Sequence, residues 1–164
     1  MAQIAKLKKE DKGHVRALEL FIIKEYLESM LKRKWDELDQ NLIDQLGASN
    51  DKAFKTYLDS GLSFVAREEG QIVGFVFAQM VSHVSGIPKV VWVENIGVHP
   101  SYRRRGIGYK LMEKVSLEGR KMGAKAVQSS IMPENAKSMM LHKKIGFFLD
   151  ARKIAFLDLD TLKQ

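Results

Sequence analysis

Between Leu62 and Val98 the chain carries three stretches of β-type sequence, and helical spacing dominates on both sides of them. Leu62 to Arg67 and Gln71 to Met80 flank Glu68-Glu69-Gly70, whose turn chemistry predicts an antiparallel hairpin. Ser82 to Pro88 reads as a second turn, and Val90 to Val98 as a third strand that ends at His99-Pro100. Upstream, Ile4 to Leu7 suits a short strand. Asp11-Lys12-Gly13 then opens a helix with Val15, Leu18, Phe21, Ile22, Tyr26 and Met30 at helical spacing. A polar-rich helical region over Trp35 to Gln45 and a short helix over Lys52 to Leu58 follow. Downstream, a helix runs from Gly106 to about Met122, with Arg120 and Lys121 in its last turn and Gly123 as its stop. Ala126 to Met132 reads as a strand, and Asn135 caps a helix that Gly146 ends. Phe147 to Leu149 and Lys153 to Leu159 are the last expected strands. This order predicts one α/β (α+β) domain over residues 1–164, a central mixed and mostly antiparallel sheet flanked by helices.

A chain of 164 residues buries roughly 70% of its extended surface, so its core needs no covalent staple. It contains no cysteine, which excludes disulfides, thiolate metal sites and thiol nucleophiles. No apolar run approaches the roughly 18 residues of a membrane span, and the opening MAQIAKLKKEDK has no apolar signal core. The expectation is a soluble cytoplasmic protein. The net charge of +7 favours polyanionic partners, whether nucleic acid, phospholipid or a phosphate-rich cofactor.

Position narrows that choice. Arg103-Arg104-Arg105-Gly106-Ile107-Gly108 lies between a strand and a helix. Glycines there let the backbone approach a ligand, and the unpaired N–H groups and dipole of the helix start favour an anion. The segment is not a P-loop, since no Gly-Lys-Ser/Thr follows, and it lacks the third glycine of the dinucleotide fingerprint.

Val93 to Tyr102 followed by Arg103 to Gly108 resembles the acetyl-CoA signature of the GNAT superfamily of N-acyltransferases. Asn135 to Phe147 is similar to that family's downstream helix with its closing Gly-Phe, and the hairpin from Val65 to Gly74 also looks like the family's. The resemblance covers about residues 62–150. It implies acetyl-CoA as co-substrate, with the core of its site over residues 90–147 and a variable helical acceptor side over 11–60. The pantetheine arm would lie beside Ile96 and Val98. The pyrophosphate would rest on the loop built from Arg103, Arg104, Arg105, Gly106, Ile107, Gly108 and Tyr109, with Asn135 as a further contact or a plain helix cap.

The implied reaction is direct attack of a substrate amine on the thioester. Residues 90, 92, 94, 96 and 98 would share one strand face, where Glu94 interrupts an apolar row and is the candidate base or one side of a salt bridge to a neighbouring Lys or Arg. Many family members carry Tyr, as a proton donor to the leaving thiolate, where this chain has His142. His142 is therefore the candidate acid, or a packing residue beside the cofactor. His14, His83 and His99 show no ligand spacing, so no metal is expected. Tyr26 and Trp35 are candidates for an acceptor pocket or for the core. The expected acceptor is a small-molecule or protein amine, a protein amino terminus being favoured, and the assembly a monomer or homodimer. A non-catalytic acyl-CoA-binding or sensing module is the alternative. Nucleic-acid binding is disfavoured because no basic strand is interleaved with aromatics.

Overall fold

Two consecutive left-handed residues, Ser85 at φ 50° and Gly86 at φ 80°, fold Gln71–Val84 (β3) and Ile87–Val98 (β4) into one long hairpin. Such a pair matches the natural twist of an antiparallel ribbon. The ladder therefore runs on to Val84–Ile87, through the segment Ser82 to Pro88 expected to be turn. Glu69 at φ 50° and Gly70 at φ 80° make the same kind of turn between Phe64–Glu68 (β2) and β3, as the sequence predicts. The computed structural model describes residues 1–152, 155 and 157.

Gln3–Lys6 (β1) completes the antiparallel part, and Ala126–Ser129 (β5) joins β4 in parallel, giving the order β1-β2-β3-β4-β5. The mixed sheet and its flanking helices are those predicted. One face packs on Ile107–Lys121 (α4), whose Ile107, Leu111 and Val115 recur at one helical stripe against Val76, Val91 and Val93. Gly119 continues that stripe, and a Cβ there would meet Val91 Cγ2 at 2.3 Å, so only glycine lets α4 lie this close to β4. The other face carries Val65, Phe75 and Phe77 under Lys12–Ser29 (α1) and Phe54–Asp59 (α3). Ala136–Ile145 (α5) packs beside α4.

Three expected elements differ. The region Trp35 to Gln45 is a 3-10 turn at Trp35–Glu37 and then a helix, Gln40–Gln45 (α2), because Leu38 is extended and the Asp39 carboxylate caps the Leu42 N–H at 2.9 Å. β5 stops at Ser129 rather than Met132. Phe147 to Leu149 is not a strand: the Phe147 N–H caps α5 by donating to the His142 carbonyl at 3.0 Å, and Phe148 is 87% exposed. The last expected strand, Lys153 to Leu159, lies outside the described residues save for positions 155 and 157. Among the described residues no helix is long and apolar enough to cross a membrane.

Candidate functional site

The parallel ladder between β4 and β5 lasts four pairs, from Val90–Ala126 to Val93–Ser129. Beyond it β4 continues to Val98 while β5 has ended, so the strands part and β4 presents an edge that is unpaired among the described residues. The fork coincides with a bulge: Phe77 pairs with Asn95 and Ala78 with Val93, which leaves Glu94 as the extra residue. The bulge inverts the alternation expected for this strand. Ile96 and Val98 pack on the α4 face with Val91 and Val93, whereas Glu94 and Asn95 belong to the opposite, α1 face. Residues 90 to 98 therefore do not form one continuous face, and Glu94 interrupts no apolar row.

Glu94 is exposed, and its Oε2 accepts the Trp92 indole N–H at 2.7 Å. The buried Tyr57 phenol stands beside it. Burial first, and then the Glu94 charge, push the phenol's pKa up to about 12. Asn95 points to Glu19 of α1, a carboxylate with no solvent exposure. Glu19 accepts the Asn95 amide at 2.7 Å, the Ala48 N–H at 2.9 Å and the Ser49 N–H at 2.8 Å, together with the Ser49 hydroxyl. A buried carboxylate needs such a set of donors. Glu19 thereby ties α1, the loop at Gly47 to Ser49 and the bulge together. The sequence reading missed it, although Glu19 lies four residues after Val15 and three before Ile22 on the same stripe.

At the far end of β4, Gly106 (φ 78°) caps α4 in the left-handed region, directly after Arg104 (φ 65°) and Arg105. A Cβ on Gly106 would meet nothing within 4 Å, so the loop is open on that side. The Lys110 N–H is the one that closes on the Gly106 carbonyl at 3.0 Å, so the helix ladder supplies no acceptor to the N–H groups of Ile107, Gly108 and Tyr109. Gly108 is needed for another reason, since a Cβ there would press on Leu141 of α5 at 3.2 Å.

The three arginines separate in space. Arg103 grips Glu25 with both terminal nitrogens, one at 2.7 Å, and donates Nε to the Val98 carbonyl at 2.9 Å. Its guanidinium is committed to pinning α1 against the end of β4, and the same contact holds the Glu25 carboxyl below its usual range. Arg105 lies over the Tyr102 ring at 5.1 Å and near Glu68 at 3.8 Å. A cavity of about 530 Å³ opens there, lined by Glu68, Gln71, His99, Tyr102 and Arg105, beside the loop and away from the fork. Arg104 has no ion-pair partner among the described residues.

Asn135 caps α5 by accepting the Ser138 N–H at 3.0 Å. His142 is 1% exposed, with Nε2 2.7 Å from the Ser129 hydroxyl and Nδ1 2.8 Å from the Ser138 carbonyl. Phe147 stands edge-on to it. Both ring nitrogens of His142, the candidate acid or packing residue, thus face protein groups, and the hydroxyl at Nε2 belongs to Ser129, at the last rung before the fork. Tyr26 buries its hydroxyl without a hydrogen-bond partner among the described residues, and burial raises its pKa. Among the described residues no cluster of His, Asp and Glu is fit to hold a metal.

The chain is 35% identical over 88 residues to an aminoglycoside N(6')-acetyltransferase type 1 of Salmonella typhimurium, covering 52% of this chain and 61% of that protein. It is 28% identical over 86 residues to the ribosomal protein bS18-alanine N-acetyltransferase of Escherichia coli, covering 52% of this chain and 54% of that protein. The matched segment thus spans less than two thirds of these relatives. The solved structure of the aminoglycoside N-acetyltransferase AAC(6')-Iy in complex with CoA superposes with a TM-score of 0.71 at 25% identity, over 97% of this chain and 95% of that one. The mixed sheet and its flanking helices thereby match the GNAT fold of the acetyltransferases. Matching its profile over residues 3–164, the chain belongs to the family described as protein of unknown function (DUF1999), built on the GNAT fold.

Proposed function

We propose that the protein transfers an acetyl group from acetyl-CoA to a primary amine by direct attack within a ternary complex. The observation that carries this reading is the fork at Val93–Ser129 leading to an open helix-capping loop at Gly106. Acetyl-CoA supplies an activated thioester and a diphosphate. The edge of β4, without a partner strand among the described residues, offers the Ile96 backbone and the Val98 N–H to the pantetheine amides, the Val98 carbonyl being held by Arg103. The N–H groups of Gly106 to Tyr109, at a helix start, suit the diphosphate, and Arg104 adds charge. Arg103 acts there only through the frame it holds with Glu25.

Glu94 is the base. It stands exposed on the α1 face, from which an amine reaches the fork, and takes the ammonium proton directly or through water. The protonated Tyr57 phenol beside it orients that carboxylate. Residues 11–60 form the acceptor wall, with the Tyr26 hydroxyl, which has no partner among the described residues, as a group a ligand can satisfy. The related enzymes named above carry an aminoglycoside and an alanine of a ribosomal protein in their names. The charge of +7 repels a polycationic aminosugar at long range, which favours a peptide amino terminus.

Calorimetric titration with acetyl-CoA, followed by thiol-release assays with peptide amines and aminosugars, tests this. Saturable binding and amine-dependent thiol release are expected. Binding without release to any amine would leave an acyl-CoA sensor, and absence of binding would defeat the assignment of the loop.

A further inference from the structure

We infer that Ser129 is an activated nucleophile, able to take the acetyl group of acetyl-CoA onto its own hydroxyl when no amine acceptor is present. The proposal rests on the acetyl-CoA reading above and adds a covalent site to it. Two contacts carry it. His142 Nδ1 lies 2.8 Å from the Ser138 carbonyl. A carbonyl oxygen only accepts, so Nδ1 holds the proton, and in the neutral ring Nε2 is left with its lone pair. That lone pair faces the Ser129 hydroxyl at 2.7 Å, so the hydroxyl donates inward and its oxygen lone pairs are turned away from the imidazole. Nucleophile, base and a third group that fixes the base's tautomer are the parts of an activated serine. His142 is buried, edge-on to Phe147 and anchored within its own helix turn, so the ring is held in place. Ser129 itself is partly exposed.

Its position supplies the remaining parts. Ser129 pairs with Val93 as the last rung between β4 and β5, and past that rung the edge of β4 has no partner strand among the described residues. Alternate N–H groups along that edge face the fork and suit the oxygen of a carbonyl under attack. Ser129 Oγ adds to the thioester carbon while its proton passes to His142 Nε2. When the C–S bond breaks, the same proton goes to the departing sulfur, giving free CoA thiol, an acetyl ester on Ser129 and a neutral His142. Water, losing a proton to Nε2, then hydrolyses the ester to acetate, and Nε2 returns that proton to Oγ. The protein therefore has a slow acceptor-independent acetyl-CoA hydrolase activity.

The test incubates the full chain with acetyl-CoA alone, quenches in acid, and measures intact mass, peptide masses and thiol release. Expected are one acetyl group, mapped to Ser129, and thiol release that falls at least tenfold in Ser129→Ala and in His142→Phe. The mild Ser129→Ala change guards against misfolding as the cause, and Ser129→Cys should accumulate the adduct as a thioester. If acetyl-CoA binds but no acetyl group maps to Ser129 and thiol release is the same in Ser129→Ala, the nucleophile is refuted while the ternary-complex reading stands. Acetyl groups confined to lysines refute it equally. Failure of wild-type protein to bind acetyl-CoA overturns both.

Discussion

Replacing Glu19 by glutamine keeps the volume of the side chain and removes its charge. The carboxylate accepts four hydrogen bonds in a site closed to solvent. A glutamine oxygen can keep two of them, those from Ala48 and Asn95. The amide then faces Ser49, whose hydroxyl can reverse and accept, but whose backbone N–H meets another donor. An orphaned buried donor costs about 1–3 kcal/mol, and each retained bond loses roughly 1 kcal/mol with the charge. Relief of the carboxylate's burial offsets a large part of this. The net expected loss is about 2 kcal/mol, a fall of about 1 M in the urea midpoint for a slope of about 2 kcal/mol per M. Hydrogen exchange at the Ala48 and Ser49 amides should accelerate in parallel. An unchanged or raised midpoint would refute the reasoning, because it would mean that burying the charge costs as much as its four bonds return. Gly47→Ala should act in the same direction, since its Cβ would stand 2.4 Å from Glu19 Cδ.

Gly106→Glu should abolish acetyl-CoA binding in calorimetry, by placing an anion at a left-handed position in the open loop, and retained affinity would remove the diphosphate from that loop. Glu94→Gln should slow turnover at least tenfold with little change in acetyl-CoA affinity, and should let Tyr57 ionise earlier in a tyrosinate absorbance titration, because the Glu94 charge helps hold its pKa near about 12. Glu25 has its pKa lowered, chiefly by the Arg103 hydrogen bonds, so its stabilisation is complete above the unfolded value near about 4.3 and disappears as pH falls through the lowered folded value. Stability of Glu25→Gln should accordingly fall less steeply than wild type below about pH 4, after a loss of about 1 kcal/mol at neutral pH. Gly119→Ala should lose about 1 kcal/mol in chemical denaturation, the contact with Val91 exceeding the helix-propensity gain.

Turn chemistry and periodicity are local, and wherever they govern, the chain alone revealed the outcome. Glu69-Gly70 closes its hairpin, the Ile107, Leu111 and Val115 stripe seats α4, and Gly106 and Gly146 cap helices as their positions imply. The open helix-capping loop at Gly106 was legible for the same reason, since a glycine-rich strand-to-helix junction presents N–H groups whatever surrounds it. The face to which Glu94 points was not legible, because one extra residue at a bulge inverts the alternation of β4 and only pairing with β3 locates that residue. Arg103, Arg104 and Arg105 are equivalent in sequence, yet Glu25, seventy-eight positions before Arg103, decides that Arg103 serves the frame. Glu19 with Ser49 and Asn95, and His142 with Ser129, likewise meet only when strands and helices from distant parts of the chain pack. A buried charge or ring nitrogen takes whatever donor or acceptor the packed fold brings within about 3 Å, and such partners belong to the tertiary structure.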